Sequence, residues 1–249
     1  MAKPVMQPDS QDARPLDIEL SQMAALVEKQ LAAAIEAFER RDVASAETIV
    51  DADKRIDDAH AVIEQKVMNA LASVGDHPRE LREIIMTMKV SGELERVGDL
   101  AKNVAKRTLV VSREAYARPS MGVTRMGRAA LRQFSDMLNA FHGKNLEAAV
   151  VVWGGDDEID ELYNSVFQEI ILDMMEDAAR INACTHLVFI AKNFERVGDH
   201  ATNIAEALHF CLTGTPLALE RPKGDETSTT AVTPRDRAGS GLDADEGED

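Results

Sequence analysis

Residues 95–99 read Glu-Arg-Val-Gly-Asp, and residues 195–199 read the same. The similarity extends beyond these five residues, because apolar residues and an asparagine flank both copies at equivalent positions. The equivalent pairs are Leu94 and Phe194, Ala101 and Ala201, Asn103 and Asn203, and Val104 and Ile204. An internal repeat of this length indicates two copies of one structural unit.

The repeat continues upstream of the motifs at a slightly larger offset. The paired residues there are Met23 and Met126, Phe38 and Phe141, Asp53 and Asp156, Ile56 and Ile159, and Asp57 and Asp160. Gly154 and Gly155 are expected to kink the helix that contains them. Breaks in the apolar periodicity predict six helical segments, and no stretch predicts a strand. These breaks fall near residues 41–42, 75–78, 118–120, 143–145 and 180–182.

The predicted fold class is all-α, with two tandem, pseudo-symmetric three-helix bundles. Short connections favour antiparallel neighbours, which is why the helices are placed in bundles. The first repeat is predicted at residues 16–116 and the second at residues 117–213. Residues 1–15 contain three prolines and are predicted to form a flexible arm. Residues 214–249 are poor in apolar side chains and end in a run of acids, so they are predicted to be a disordered acidic tail.

The charge of the chain limits its partners. The formal net charge is -16 at pH 7, which argues against nucleic acid and anionic membrane surfaces. No apolar run reaches the roughly 18 to 20 residues of a membrane span, so no membrane insertion is expected. The two cysteines, Cys184 and Cys211, form no CxxC pair, and the N-terminus does not look like a secretory signal. These features predict a cytoplasmic protein.

Each motif lies on a predicted helix with two opposite faces. The apolar faces consist of Leu94, Val97, Ala101 and Val104, and of Phe194, Val197, Ala201 and Ile204. The polar faces consist of Glu95, Asp99 and Asn103, and of Glu195, Asp199 and Asn203. The polar faces are expected on the outside of each bundle or at a subunit contact. Any amphipathic surface helix has such a face, so a purely structural role stays open.

Two observations favour a function for the polar faces. The faces are the same in both repeats, whereas nearby positions that are expected to be exposed differ, as at Lys102 and Thr202. Each motif also keeps a glycine, Gly98 or Gly198, inside a helix, where it costs about 1 kcal/mol relative to alanine. Close approach of a ligand or partner to the backbone explains such a glycine, and tight helix packing explains it equally.

Further acidic pairs precede the motifs. Asp53 with Asp57, and Asp156 with Asp160, are spaced i, i+4, which destabilises a helix by a few tenths of a kcal/mol. A bound cation would reverse the sign of that effect. If the second and third helices of a unit lie side by side, one site can gather up to four carboxylates and an amide oxygen. Oxygen ligands suit Mg²⁺, Mn²⁺, Ca²⁺ or iron.

The alternative to a binding protein is a carboxylate-bridged di-metal enzyme of the helical-bundle type. Such an enzyme needs two inward-facing Glu-x-x-His pairs, and Glu206 with His209 is the one pair in the sequence. Asp57 with His60 has a similar spacing, but neither pair recurs in the other repeat. No Ser-His-Asp pattern, phosphate-binding glycine loop or cysteine nucleophile site is visible. The sequence therefore predicts a protein that is not an enzyme.

The doubled Glu-Arg-Val-Gly-Asp-x-x-x-Asn motif and the upstream Asp-x-x-x-Asp pairs resemble the PhoU family. Residues 174–177, Met-Met-Glu-Asp, add to the resemblance, which covers residues 16–213. It implies two three-helix bundles related by a pseudo-twofold axis, usually in a homodimer. It also implies a negative regulator of the phosphate-starvation response, an adaptor that contacts the ATPase of the phosphate importer and a sensor histidine kinase.

The resemblance further implies metal binding, with iron, zinc, manganese or magnesium as candidates. The ligands it implies are Asp53, Asp57, Glu95, Asp99, Asn103, Asp156, Asp160, Glu195, Asp199 and Asn203.

Overall fold

The computed structural model of the chain describes residues 13–114, 121–155, 157–217 and residue 227. All regular structure in these ranges is helical. The α-helices are α1 (Ala13–Arg40), α2 (Val43–Ala52), α3 (Lys54–Ser73), α4 (Pro78–Val111), α5 (Met121–His142), α6 (Leu146–Gly154), α7 (Asp157–Glu176) and α8 (Ile181–Thr213). A 3-10 turn, Ala178–Arg180, joins α7 to α8.

The predicted all-α fold with six helical segments is confirmed. Helices α2 and α3 form one segment with a break at Asp53, and α6 with α7 form the equivalent segment in the second half. The second of these breaks was predicted, because α6 ends at Gly154 and Gly155 follows it. The break at Asp53 was not predicted, since no glycine or proline marks it.

One of the three predicted domain boundaries lies where the structure gives no description. Helix α1 begins at Ala13, inside the predicted arm, and residues 1–12 lie outside the described residues. The predicted boundary at residues 116–117 also lies outside them, as does the predicted tail beyond residue 217 apart from residue 227.

The turn after the first helix is built in the same way in both halves. Arg41 and Lys144 adopt positive φ angles of 55° and 47°, which reverse the chain. The next residues, Asp42 and Asn145, cap α2 and α6, because their side chains accept hydrogen bonds from the backbone N–H three residues later. The Arg41 guanidinium donates to the carbonyls of Val111, Ser112 and Glu114 at 2.9, 3.1 and 2.8 Å, which satisfies the C-terminal end of α4.

Each half is a three-helix bundle, and the two bundles meet along α4 and α8. Helices α1, α2–α3 and α4 pack together in the first half, as do α5, α6–α7 and α8 in the second. The contact between α4 and α8 is the most extensive of any helix pair described. Met23 and its repeat equivalent Met126 are both fully buried, so the repeat extends into the core.

Candidate functional site

The motif helices α4 and α8 bury their apolar faces completely. The eight residues predicted to form these faces all have 0% of their surface exposed. They are Leu94, Val97, Ala101, Val104, Phe194, Val197, Ala201 and Ile204. The helical wheel therefore identified correctly which side of each helix meets the core.

The aspartates and asparagines of the two polar faces line one groove between α4 and α8, which we call the α4–α8 groove. The glutamates Glu95 and Glu195 do not line it. Its cavity volume is ≈ 490 Å³. Four repeat-equivalent pairs line it, and in one of them, Leu100 and His200, the residue type differs. The other three are pairs of identical residues. The identical pairs are Arg96 and Arg196, Asp99 and Asp199, and Asn103 and Asn203. The sequence predicted a polar face on the outside of each bundle or at a subunit contact, whereas the structure brings parts of the two faces together between the bundles of one chain.

One carboxylate links the two walls of the groove. Glu93 on α4 accepts hydrogen bonds from His200 Nδ1 at 2.6 Å and from Asn203 Nδ2 at 3.0 Å, both on α8. Burial alone would raise the pKa of Glu93, but these two bonds outweigh burial and lower the pKa. Repeat comparison missed this residue because position 193 in the second half is an asparagine.

In the first half, a lysine neutralises two of the predicted metal ligands. Lys102 Nζ donates to Asp53 Oδ2 at 2.5 Å and to Asp99 Oδ1 at 2.7 Å. Gln30 Nε2 on α1 donates to Asp53 Oδ1 at 2.8 Å and to the Gly98 carbonyl at 3.2 Å. We call these residues, Gln30, Asp53, Asp99 and Lys102, the first-half cluster.

Lys102 was expected to be exposed, and this expectation was wrong. Only 22% of its side chain is exposed, and its repeat equivalent Thr202 is fully buried. Burial alone would lower the pKa of Lys102, but the hydrogen bonds to Asp53 and Asp99 raise it overall. The spacing of Asp99 and Lys102, i and i+3, was the sequence signal for this contact. Repeat comparison did not reveal the contact, because it took candidate functional residues only from polar positions that are identical in both halves.

The other predicted ligands of the first half lie nearer the surface. Asp57 is exposed, and Asn103 is exposed at the edge of the groove. Glu95 has 21% of its side chain exposed and lies 3.5 Å from Arg96 Nε. Burial, and then the carboxylate of Asp99, raise the pKa of Glu95.

In the second half a lysine also contacts a motif carboxylate, but this lysine precedes the carboxylate in the sequence, whereas Lys102 follows Asp99. Lys192 Nζ lies 2.9 Å from Glu195 Oε1, and it sits 4.8 Å from the centre of the Tyr163 ring on α7. Glu195 and Asp160 are both buried, at 7% and 6% exposed. Of the remaining predicted ligands, Asp199 and Asn203 line the groove, and Asp156 lies outside the described residues.

The glycine of the first motif has a packing reason. A Cβ atom at Gly98 would lie 3.0 Å from Ile56 Cδ1 and 3.2 Å from Ile56 Cγ2. Helix α3 therefore approaches α4 too closely at this point for a larger residue without rearrangement. Of the two explanations that the sequence allowed, tight helix packing accounts for Gly98.

A family model for the PhoU domain matches residues 20–108 and 123–208. The chain belongs to the PhoU family. Each matched range covers most of one three-helix bundle and one copy of the motif. The chain is 42% identical over 214 residues to a Caulobacter vibrioides protein named phosphate-specific transport system accessory protein PhoU homolog. That match covers 86% of this chain and 93% of the relative.

Solved PhoU structures share the fold of this chain. The crystal structure of PhoU from Pseudomonas aeruginosa gives a TM-score of 0.79 at 29% identity, covering 82% of this chain and 98% of that one. The phosphate transport system regulatory protein PhoU from Streptococcus pneumoniae gives a TM-score of 0.76 at 28% identity, covering 83% and 98%. The arrangement of two tandem bundles is thus the PhoU fold.

The donor set of the first half does not fit a metal ion while Lys102 is in place. Asp53 is engaged by Gln30 on one oxygen and by Lys102 on the other, and Asp99 shares the same ammonium. In the part of the chain that the structure describes, no group of three or more His, Cys, Asp or Glu side chains is arranged to hold a metal. The second-half set is incomplete here because Asp156 is not described. Metal binding at the ten residues stays a prediction.

The residues of the acid–histidine pairs that the enzyme hypothesis requires contact other side chains or the backbone. His60 lies 3.8 Å from Glu64, Glu206 accepts from Trp153 Nε1 at 3.1 Å, and His209 contacts the Thr215 carbonyl at 3.0 Å. This geometry does not favour a bridged di-metal centre. Among the described residues, no helix is long and apolar enough to cross a lipid bilayer.

Proposed function

We propose that this chain is a non-enzymatic adaptor in the cytoplasm that represses the phosphate-starvation response when phosphate is plentiful. Membership of the PhoU family supports the proposal, as do the names of its relatives, an accessory protein of phosphate transport and a regulatory protein. The observation that carries it is the α4–α8 groove, where both copies of the repeated motif contribute to one surface.

The partners we propose are the ATPase of the phosphate importer and a sensor histidine kinase. The groove offers guanidinium groups from Arg96 and Arg196 beside the carboxylates of Asp99 and Asp199. Surfaces of mixed charge give a partner both orientation and selectivity, because mismatched charges are penalised. The side chain of Arg96 is 65% exposed and Arg196 is also exposed, so both can reach a protein that lies across the groove.

A reporter assay tests the repression. We expect deletion of the gene to raise alkaline phosphatase activity in phosphate-rich medium, and the intact gene to return the activity to its low level. Low activity that the deletion does not change would contradict the proposal, provided that no second copy of the gene exists in the host.

Direct binding tests the partners. Purified importer ATPase and the cytoplasmic part of the kinase are immobilised separately, and binding of the full-length chain is measured at several salt concentrations. We expect binding to both proteins that weakens as salt rises, because the groove is charged. Binding to neither protein would contradict the proposed coupling.

We also propose a homodimer and, at the predicted ligands of the second half, metal binding. The family resemblance supports both. Light scattering during size-exclusion chromatography measures the mass, and one chain of 27.3 kDa would contradict the dimer. Equilibrium dialysis against iron, zinc, manganese or magnesium, followed by elemental analysis, measures bound metal. Retention of none of these metals would contradict metal binding.

A further inference from the structure

The ammonium group of Lys102 occupies the position between two carboxylates that belong to different helical segments. Asp53 lies at the break between α2 and α3, and Asp99 lies on α4. The Lys102 Nζ atom is within hydrogen-bond distance of both, at 2.5 and 2.7 Å. It therefore joins the second segment of the bundle to the third, as a shared cation would.

Asp53 depends on this contact because it is almost fully buried. Only 3% of its surface is exposed, and its other oxygen already accepts the amide of Gln30 at 2.8 Å. An ionised carboxylate that is removed from water requires a counter-charge or a full set of hydrogen bonds. A metal ion could reach Asp53 only by displacing Lys102 from it.

The second half has no lysine at the equivalent position. Thr202 stands there, fully buried, and its hydroxyl donates to the backbone carbonyl of Asp199 at 2.8 Å. The lysine that contacts the second motif, Lys192, corresponds to Gly92 in the first half. The two halves therefore differ in the position that supplies the positive charge.

We propose that Lys102 takes the place of a metal ion in the first half, so that this bundle folds with its own lysine as the cation between Asp53 and Asp99. The proposal does not depend on the adaptor function, because it concerns how the acidic cluster is neutralised and not which protein binds the groove. It assigns to Lys102 a role that repeat comparison alone does not reveal.

The test compares the wild-type chain with Lys102→Thr, which copies the residue of the second half. Lys106→Thr is the matched control, since Lys106 is an exposed lysine on the same helix. All three proteins are stripped of metal with a chelator. Thermal unfolding is then measured with and without Mn²⁺, and Mn²⁺ stoichiometry is measured by isothermal titration calorimetry.

Without metal, we expect Lys102→Thr to unfold roughly 6 °C or more below the wild type, because it leaves a buried carboxylate unpaired. We expect it to bind one Mn²⁺ more than the wild type and to regain several degrees when Mn²⁺ is added. Lys106→Thr should match the wild type in both measurements. In Asp53→Asn/Lys102→Thr the buried charge is removed, so part of the stability should return and the additional Mn²⁺ should be lost.

Three results would overturn the proposal. The first is a wild type that binds as many Mn²⁺ ions as Lys102→Thr. The second is a Lys102→Thr variant that unfolds at the wild-type temperature. The third is a Lys102→Thr variant that loses stability without binding an additional Mn²⁺ ion. If Lys102→Thr fails to fold without metal, refolding it in Mn²⁺ decides the matter. Recovery of the folded protein supports the proposal, and failure to recover it overturns the proposal.

Discussion

Lys102 in the first half and Lys192 in the second both contact a motif carboxylate, but they lie on opposite sides of the motif. Lys102 follows Asp99 by one helical turn and reaches across to Asp53. Lys192 precedes Glu195 by one turn and packs over Tyr163. Two copies of one motif can therefore lie in different electrostatic surroundings, because residues outside the motif supply the positive charge.

We expect the largest difference in unfolding free energy between alanine variants of Asp53 and Asp57, the two aspartates of the first acidic pair. Asp53→Ala leaves the Gln30 amide and the Lys102 ammonium without their shared acceptor, so we expect a loss of about 2–3 kcal/mol in the free energy of unfolding. Asp57 is exposed, and Asp57→Ala should change the same quantity by less than about 0.5 kcal/mol. Urea unfolding of both variants measures the two values. Equal losses would contradict the assignment of Asp53 to a structural cluster.

The next effect concerns the close approach of α3 to α4. Gly98→Leu forces Ile56 to move, and we expect it to cost about 1–3 kcal/mol of unfolding free energy. Gly92 on the same helix has open space where a Cβ would be, so Gly92→Ala should gain up to about 1 kcal/mol. Thermal unfolding distinguishes the two, and a stabilising Gly98→Leu would show that the packing at Ile56 is not restrictive.

A smaller effect, dependent on pH, tests the link between the two halves. The folded-state pKa of Glu93 is lowered from its ordinary value of 4.5, so its ionised form stabilises the fold above that pH. This contribution is lost as the pH falls through the folded-state pKa. We expect Glu93→Gln to lose about 1 kcal/mol of unfolding free energy at pH 7, and the difference from wild type to shrink below about pH 4.5. A difference that is the same at pH 7 and pH 4 would contradict the ionised hydrogen bonds to His200 and Asn203.

The smallest effect comes from moving the lysine of the second half into the first. Gly92→Lys in the Lys102→Thr background places an ammonium where Lys192 stands relative to its motif. Compared with Gly92→Ala in the same background, which controls for helix propensity, we expect a gain of about 0.5 kcal/mol from contact with Glu95. Equal unfolding free energies for the two double variants would show that the second-half arrangement does not transfer.

Much of the fold follows from the sequence. The apolar stripes, the breaks and the internal repeat predicted six helical segments in two bundles, because burial of a periodic face decides where a helix packs. The polar faces were predicted only in part, because Glu195 was expected to face outward and is buried. The convergence of the two faces in one groove was not predicted, because a helical wheel describes one helix and carries no information on how α4 packs against α8.

The first-half cluster shows a second limit of sequence reasoning. The buried state of Asp53 depends on a break between α2 and α3 that no glycine or proline marks. Its partner Gln30 comes from another helix, at a distance along the chain that no local pattern reveals. Lys102 was within reach of sequence reasoning through its i, i+3 spacing from Asp99.

The most direct test of the proposed adaptor is repression by a protein whose groove is altered and whose fold is intact. A deletion strain is complemented with the wild type, with Arg96→Glu/Arg196→Glu, or with Arg55→Glu/Arg132→Glu, whose arginines are exposed on α3 and α5. Alkaline phosphatase is measured in phosphate-rich medium, and thermal unfolding is measured on each purified protein. We expect the groove variant to leave the phosphatase as high as in the deletion strain with an unchanged unfolding temperature, while the control variant represses it. Full repression by the groove variant would contradict the assignment of the α4–α8 groove as the surface that binds partners.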